Sequence, residues 1–298
     1  MDIVVALPFD IELAKFIGKK GSENSITFYN RKLGKDVIVA LMPDPEKLYA
    51  TLQVLTIASQ ILISTKQLDR SLGEAIIASS LLGKRVLFTS DSDISKLLNG
   101  IEMRYEVVEQ GNLLEKLLEG SAQQLGSSGT TRIDIDKAFD VKGIGVVVLG
   151  IVTRGTVKVH DTLYHSSGKT VSIRSIQSQD EDISEADAGT RVGLAIKGMD
   201  SEEIGKGDLF TSTLLSPAKS VTLAVKKSTL ISEQISAGSI YGIGSNFSYS
   251  KATVESIENE NVSFRLEKAL NLEVNDICLL ERQATPRIFA AGRVKSFA

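Results

Sequence analysis

Residues 1 to about 120 alternate short apolar runs with amphipathic stretches. The runs IVVAL, SITFYN, VIVALM, ILIST, RVLFTS and YEVV read as strands. EKLYATLQVLTIA, LGEAIIASSLLG and NLLEKLLEG carry apolar residues at helical spacing. Strands alternating with helices imply parallel pairing through crossover helices, and so a doubly wound α/β sheet. GSAQQLGSSGTT at 120–131 is small, polar and glycine-rich, the composition of a domain boundary. From residue 132 onward, helical periodicity gives way to short β-branched runs such as GVVVLGIV, TVSIRSI, RVGLAI and NVSFRLE. Gly, Asp, Asn and Ser clusters punctuate these runs. That texture predicts β-barrels, and its length suits two, with a break near Leu215-Ser216-Pro217.

The 298 residues suffice for two or three domains with a formed core. The net charge of −3 argues against an unselective nucleic-acid coat. With Cys278 as the single cysteine, an intrachain disulfide and a cysteine-rich zinc site are excluded. No apolar run approaches the ~20 residues that cross a bilayer. The start, MDIVVALPFDIELAKF, lacks the build of a secretory signal. A cytoplasmic location follows as the simplest expectation. Tryptophan is absent, which weakens any reading based on base stacking.

Residues 139–155, FDVKGIGVVVLGIVTRG, and 171–210, VSIRSIQSQDEDISEADAGTRVGLAIKGMDSEEIGKGDLF, identify a family. They resemble the second domain of elongation factor Tu, of the selenocysteine-specific elongation factor and of the initiation factor 2 gamma subunit. The shared residues are Phe139, Val141, Gly143, Gly145, Gly150, Val152, Gly155, Ala188-Gly189, Arg191-Val192-Gly193-Leu194 and Lys206-Gly207-Asp208. The last segment resembles the third domain of the same factors through Arg287-Ile288 and Gly292-Arg293. The resemblance implies a degenerate P-loop-GTPase-like α/β domain at 1–124, an elongation factor Tu domain 2-like barrel at 125–214, and a domain 3-like barrel at 215–298.

Such factors begin with a phosphate loop, GxxxxGK(S/T), in which backbone N–H groups and the Lys hold phosphates while the hydroxyl holds Mg²⁺. Here the matching stretch is Leu7-Pro8-Phe9-Asp10-Ile11-Glu12-Leu13-Ala14. Both glycines, the Lys and the hydroxyl are replaced. The second motif, DxPGHEK, matches Leu41-Met42-Pro43-Asp44-Pro45-Glu46-Lys47, without its Asp, Gly and His. The guanine-reading (N/T)KxD falls at Ser90-Asp91-Ser92-Asp93, where Asp93 alone could still accept from guanine. Asp93 also suits capping a helix over ISKLLN, and Asp44 suits capping the helix after it, with Pro45 first. KKGSENS reads as a solvated turn, or as a rival phosphate site through Lys19, Lys20 and Gly21. Loss of every charge-stabilising element predicts no GTP hydrolysis and no catalytic residue.

The resemblance places the aminoacyl end of tRNA against positions that are Asp136, Phe139, Arg174, Gln177 and Arg191 here. Ile144 and Leu149 stand where the family has Arg and Thr. Arg174 and Arg191 also read as salt-bridged surface residues, and Phe139 as core. Arg287, Arg293 and Lys295 form a basic patch able to meet RNA phosphate, or a solvated face. His160 and His165 lack obvious acidic partners, and no metal site is expected. Three functions fit. One is a pseudo-GTPase that binds tRNA, rRNA or a translation factor, with no cofactor and neither DNA nor membrane as partner. The second is an active factor with a divergent GTP/Mg²⁺ site, and the third is a protein-only scaffold.

Overall fold

The computed structural model describes residues 2–7, 10–120 and 129–298. Most of the proposed boundary at 120–131, and Pro8-Phe9 of the phosphate-loop match, lie outside the described residues.

The first segment runs β1 (Asp2–Ala6), α1 (Ile11–Ile17), β2 (Lys19–Glu23), β3 (Ile26–Leu33), β4 (Asp36–Pro43), α2 (Leu48–Ile57), β5 (Gln60–Ile63), α3 (Arg70–Leu82), β6 (Arg85–Thr89), β7 (Tyr105–Val108) and α4 (Leu113–Glu119). Its seven-stranded sheet has the order β2-β3-β4-β1-β5-β6-β7. Pairing is parallel from β4 through β7 and antiparallel among β2, β3 and β4. The continuous apolar runs become strands buried on both faces. Val4 and Ala6 of β1 pack with α2 and α3, while Val5 packs with α1 and α4.

Three local expectations are corrected. KKGSE is not a turn but the edge strand β2, bulged between Lys20 and Glu23 where it pairs with β3. ISKLLN forms a turn rather than a helix: Leu97 N–H and Leu98 N–H both reach the Ile94 carbonyl. Asp44 closes a turn by accepting from Glu46 N–H at 3.1 Å, and α2 starts only at Leu48, after Lys47.

The second segment comprises β8 (Arg132–Val141), β9 (Gly145–Arg154), β10 (Thr156–Lys158), β11 (Thr162–His165), β12 (Thr170–Ser178), β13 (Glu181–Ile183), β14 (Glu185–Asp187), β15 (Arg191–Lys197) and β16 (Leu209–Thr211). Its sheet order is β11-β16-β8-β9-β15-β12-β13, and a further β11–β12 pairing closes it on itself. Alternating residues of these strands, Ile133 and Ile135, Ile173, Leu194 and Ile196, fill the interior. Gly150 of the family pattern sits where a Cβ would lie 2.7 Å from the Asp134 carbonyl oxygen, so only glycine lets β9 cross β8 this closely.

The third segment is a closed antiparallel barrel. Its strands β17 (Ala218–Lys227), β18 (Ile240–Ser245), β19 (Ser248–Glu258), β20 (Asn261–Leu270), β21 (Ile277–Glu281) and β22 (Ile288–Phe297) follow the order β17-β20-β19-β18-β21-β22.

The three segments share buried surface. The apolar cluster over α2 and α3 continues into Ile151 of the first barrel and into Phe247, Leu279, Ile288 and Ala291 of the second. Gln53 Nε2 donates to the Phe247 carbonyl at 2.6 Å, and Asn246 N–H donates to Thr56 Oγ1 at 2.8 Å. Arg287 clasps the buried Glu74 of α3 through its backbone N–H and two guanidinium nitrogens, at 2.8–3.0 Å. Between the barrels, the buried Arg132 bonds Asp134 within its own strand and Asp276 at 2.7 Å across the interface. A charge removed from water this way is tolerable only with its partners in place.

Candidate binding clefts

In an open α/β sheet the natural ligand crevice lies at the carboxyl ends of strands where the chain order reverses. Here that is between β1, whose chain continues to the β2–β4 side, and β5, whose chain continues to β6. A cavity of about 320 Å³ occupies this place, lined by Asp10, Glu12, Ser64, Lys66 and Asp69 among others. Its carboxylates are engaged. Asp10 Oδ1 accepts from Leu13 N–H at 2.9 Å, and Oδ2 accepts from the Ser64 hydroxyl at 2.5 Å. Glu12 pairs with Lys15, and Asp69 caps α3 by accepting from Leu72 N–H. Burial pushes the Asp10 carboxyl upward. The Ser64 and Leu13 bonds and the Lys66 ammonium, 3.7 Å away, outweigh it and hold the group below the usual carboxylate range.

The residues at the phosphate-binding positions do not face this crevice as donors. Leu13 and Ala14 are buried in the core against β1. Leu41, at the Mg²⁺-ligand position, is wholly buried, and Asp44 pairs with Lys47 at 2.9 Å. Asp93 is exposed, and its Oδ1 accepts from Ser95 N–H at 2.9 Å. Among the described residues, no group of three or more His, Cys, Asp or Glu side chains is placed to hold a metal ion.

A second cleft, about 350 Å³, separates β2 from the first barrel. Lys19, Lys20 and Ser22 form one wall; Leu149, Gln177 and Arg191 belong to the other. Arg191 is not the surface residue that its type suggests, being only 10% exposed. Its guanidinium lies 3.4 Å above the Phe28 ring, donates to Ser22 Oγ at 2.7 Å, and sits 3.6 Å from Asp136 Oδ2. Its NH1 has no hydrogen-bond partner, and neither does Asp136 Oδ2. Burial draws the Arg191 pKa down to about 10 against the pull of Asp136. Asp136 is itself fully buried and accepts from Asn24 at 3.4 Å. Arg191 thus lines the cleft as a buried cation with an unused N–H, a group suited to pair with a carboxylate, phosphate or carbonyl oxygen.

The structure gathers the candidates only in part. Gln177, bonded to Asp182 at 2.8 Å, shares the cleft with Arg191. Arg174 is exposed and donates to the Ile144 carbonyl at 2.9 Å, while Phe139 is half-buried with Lys137 Nζ 5.7 Å from its ring centre. Of the C-terminal patch, Arg287 is tied to Glu74, which leaves Arg293 and Lys295 as the exposed cations. His165 does have an acidic partner: its Nε2 is 3.1 Å from Asp208 Oδ2, and its Nδ1 accepts from Ser167 N–H at 3.1 Å. Sequence reasoning missed Lys206, which bonds Ser25 at 2.8 Å beside the Arg191 cleft and whose pKa burial lowers to about 8. Its place in the basic-Gly-Asp motif was the available signal.

Residues 145–211 match the family described as Elongation factor Tu domain 2. An uncharacterised protein of Methanocaldococcus jannaschii is 28% identical over 295 residues, which is 95% of this chain and 96% of that protein. The selenocysteine-specific elongation factor of Escherichia coli is 38% identical over 98 residues, and that of M. jannaschii is 36% identical over 100. These matches span 32% and 33% of the chain but only 16% and 21% of the two factors. Translation elongation factor SelB of Methanococcus maripaludis, solved with the GTP analogue GppNHp, superposes with a TM-score of 0.80 at 22% identity, covering 100% of this chain and 80% of that one. A bacterial selenocysteine-specific elongation factor superposes with a TM-score of 0.80 at 17% identity, over 98% of this chain and 58% of its own.

Proposed function

Starting from a chain that is translation elongation factor-like in sequence and fold, we propose that it is a pseudo-GTPase that binds an RNA or a protein factor of the translation apparatus without hydrolysing GTP. The observation that carries this reading is the acidic crevice between β1 and β5, in the place where a degenerate GTPase-like domain would hold phosphates. Three carboxylates line it, and Leu13 and Ala14 point into the core rather than toward a ligand. Phosphoryl transfer needs positive charge around the transferred group, and Lys66 alone of the lining residues supplies it.

The partner is assigned to the β2–barrel cleft. Arg191 and Gln177 would contact an RNA 3′ end, an aminoacyl group or an acidic segment of a factor, with Lys19 and Lys20 on the facing wall. Arg293 and Lys295 would add phosphate contacts farther along the molecule. The test is paired titration. A fluorescent GTP analogue with Mg²⁺ is expected to show no saturable micromolar binding, whereas tRNA is expected to bind with an affinity that falls steeply with salt. Mg²⁺-dependent nucleotide binding would overturn the first half, and absence of any RNA binding at low salt the second.

A further inference from the structure

The second barrel carries a groove that neither the β1–β5 crevice nor the Arg191 cleft accounts for. It crosses the outer face of β18, β19, β20 and β21 and encloses about 550 Å³, the size of a small-molecule site. Its floor is Gly242, in the middle of β18 and paired with both Lys251 and Glu281. A Cβ there would fall 2.4 Å from the Glu281 Cγ and 2.6 Å from the Tyr249 hydroxyl. The missing side chain is what lets these two side chains lie over the strand. Tyr249 donates to Glu281 Oε1 at 2.6 Å, whereas Glu281 Oε2 is buried and accepts from nothing.

Most charges around this carboxylate are already answered. Arg282 pairs with Glu233 and donates to the Pro286 carbonyl, and Arg265 pairs with Glu255 at 3.4 Å. Lys251 and Glu267 stand exposed on the rim and offset one another, and Ile240, 65% exposed, supplies an apolar lip. Glu281 Oε2 is therefore the buried acceptor left in the groove. A carboxylate oxygen of this kind is costly to leave bare and is best satisfied by a charged N–H donor.

We propose that this groove is a binding site for a small cation, a guanidinium or primary ammonium on a short aliphatic stem, whose N–H groups bond Glu281 Oε2 while its stem lies against Ile240 and Tyr249. Burial lifts the Glu281 carboxyl above the usual carboxylate range despite the Tyr249 bond, and a bound cation would favour its charged form. The site also adjoins the first segment, because the Tyr249 ring is 5.6 Å from that of Tyr49 on α2.

The test is an amide-resolved NMR titration of the full chain with N-acetyl-arginine amide, run beside N-acetyl-glutamine amide. The arginine probe is expected to shift Ile240, Gly242 and Lys251 saturably at millimolar concentration, and the glutamine probe is expected not to. Glu281→Gln keeps the shape and removes the charge, so binding should weaken at least tenfold with the remaining spectrum unchanged. Gly242→Ala should abolish binding by displacing Glu281 and Tyr249. Equal binding by Glu281→Gln, equal binding of both probes, or shifts confined to other strands would overturn the assignment.

Discussion

Two crevices of nearly equal volume flank the first segment, and they differ in how their charged groups are satisfied. At the β1–β5 crevice Asp10, Glu12 and Asp69 each have a hydrogen-bond or ion-pair partner, supplied by a cap or a neighbouring cation. At the β2–barrel cleft, Arg191 and Asp136 are more deeply buried, yet each keeps an unpaired atom. Self-satisfied polar groups hold local structure together. Polar groups buried with unused bonding capacity are where a partner gains binding energy. On the proposed function, the contrast would separate a place kept for shape from a place kept for contact.

The sharpest way to break the contrast is Arg191→Ala, which strands the buried Asp136 carboxylate. Removing one member of a buried pair costs about 3–5 kcal/mol, so urea unfolding should register a loss of that order and RNA binding should vanish. If stability is unchanged, Arg191 does not anchor this cleft. Next in size, Asp10→Ala should cost about 1 kcal/mol by removing the α1 cap, again by urea unfolding, while leaving RNA affinity intact. The depressed Asp10 pKa adds a sign to this. Its stabilisation is present above the unfolded carboxylate pKa and is lost as pH falls through the lower folded value, so the wild type and Asp10→Ala should converge in acid.

The pKa of Lys206 is lowered too, but in a cation the shift disfavours the charged form. Its folded pKa of about 8 lies below the ordinary lysine value of 10.5, so the unfolded chain holds more protons between those values. Stability measured relative to Lys206→Met should therefore rise across that window. The smallest expected effect is that of Arg293→Ala with Lys295→Ala. Surface changes of this kind should stay within about 0.5 kcal/mol by thermal unfolding. If each cation meets an RNA phosphate, the salt slope of binding should fall by about 1 per cation, about 2 for the pair.

The barrels and most of the sheet could be read from the chain because their strands carry alternating or continuous apolar residues bounded by turn residues. Edge strand β2 could not: KKGSE is polar, contains glycine, and is largely exposed along its length. β18, IYGIGS, was missed for a related reason, since its glycines mimic a turn while serving close approach at Gly242 and Gly244. The candidate residues split in the same way. Gln177 and Arg191 line one cleft, whereas Arg174 and Phe139 lie outside it. What the family pattern could not convey was burial. Arg191 depends on Ser22, 169 positions earlier, and Arg287 on Glu74, 213 positions earlier. Local periodicity carries no information over such distances.

The apolar cluster that runs from α2 and α3 into Ile288 and Ala291 has a consequence for how the chain is made. Those two residues lie in β22, so one face of the first segment is completed only by residues synthesised long after it. During synthesis that face stays partly uncovered until β22 leaves the ribosome. Truncation before Ile288 should therefore cost the first segment its solubility as well as costing the second barrel its closing strand.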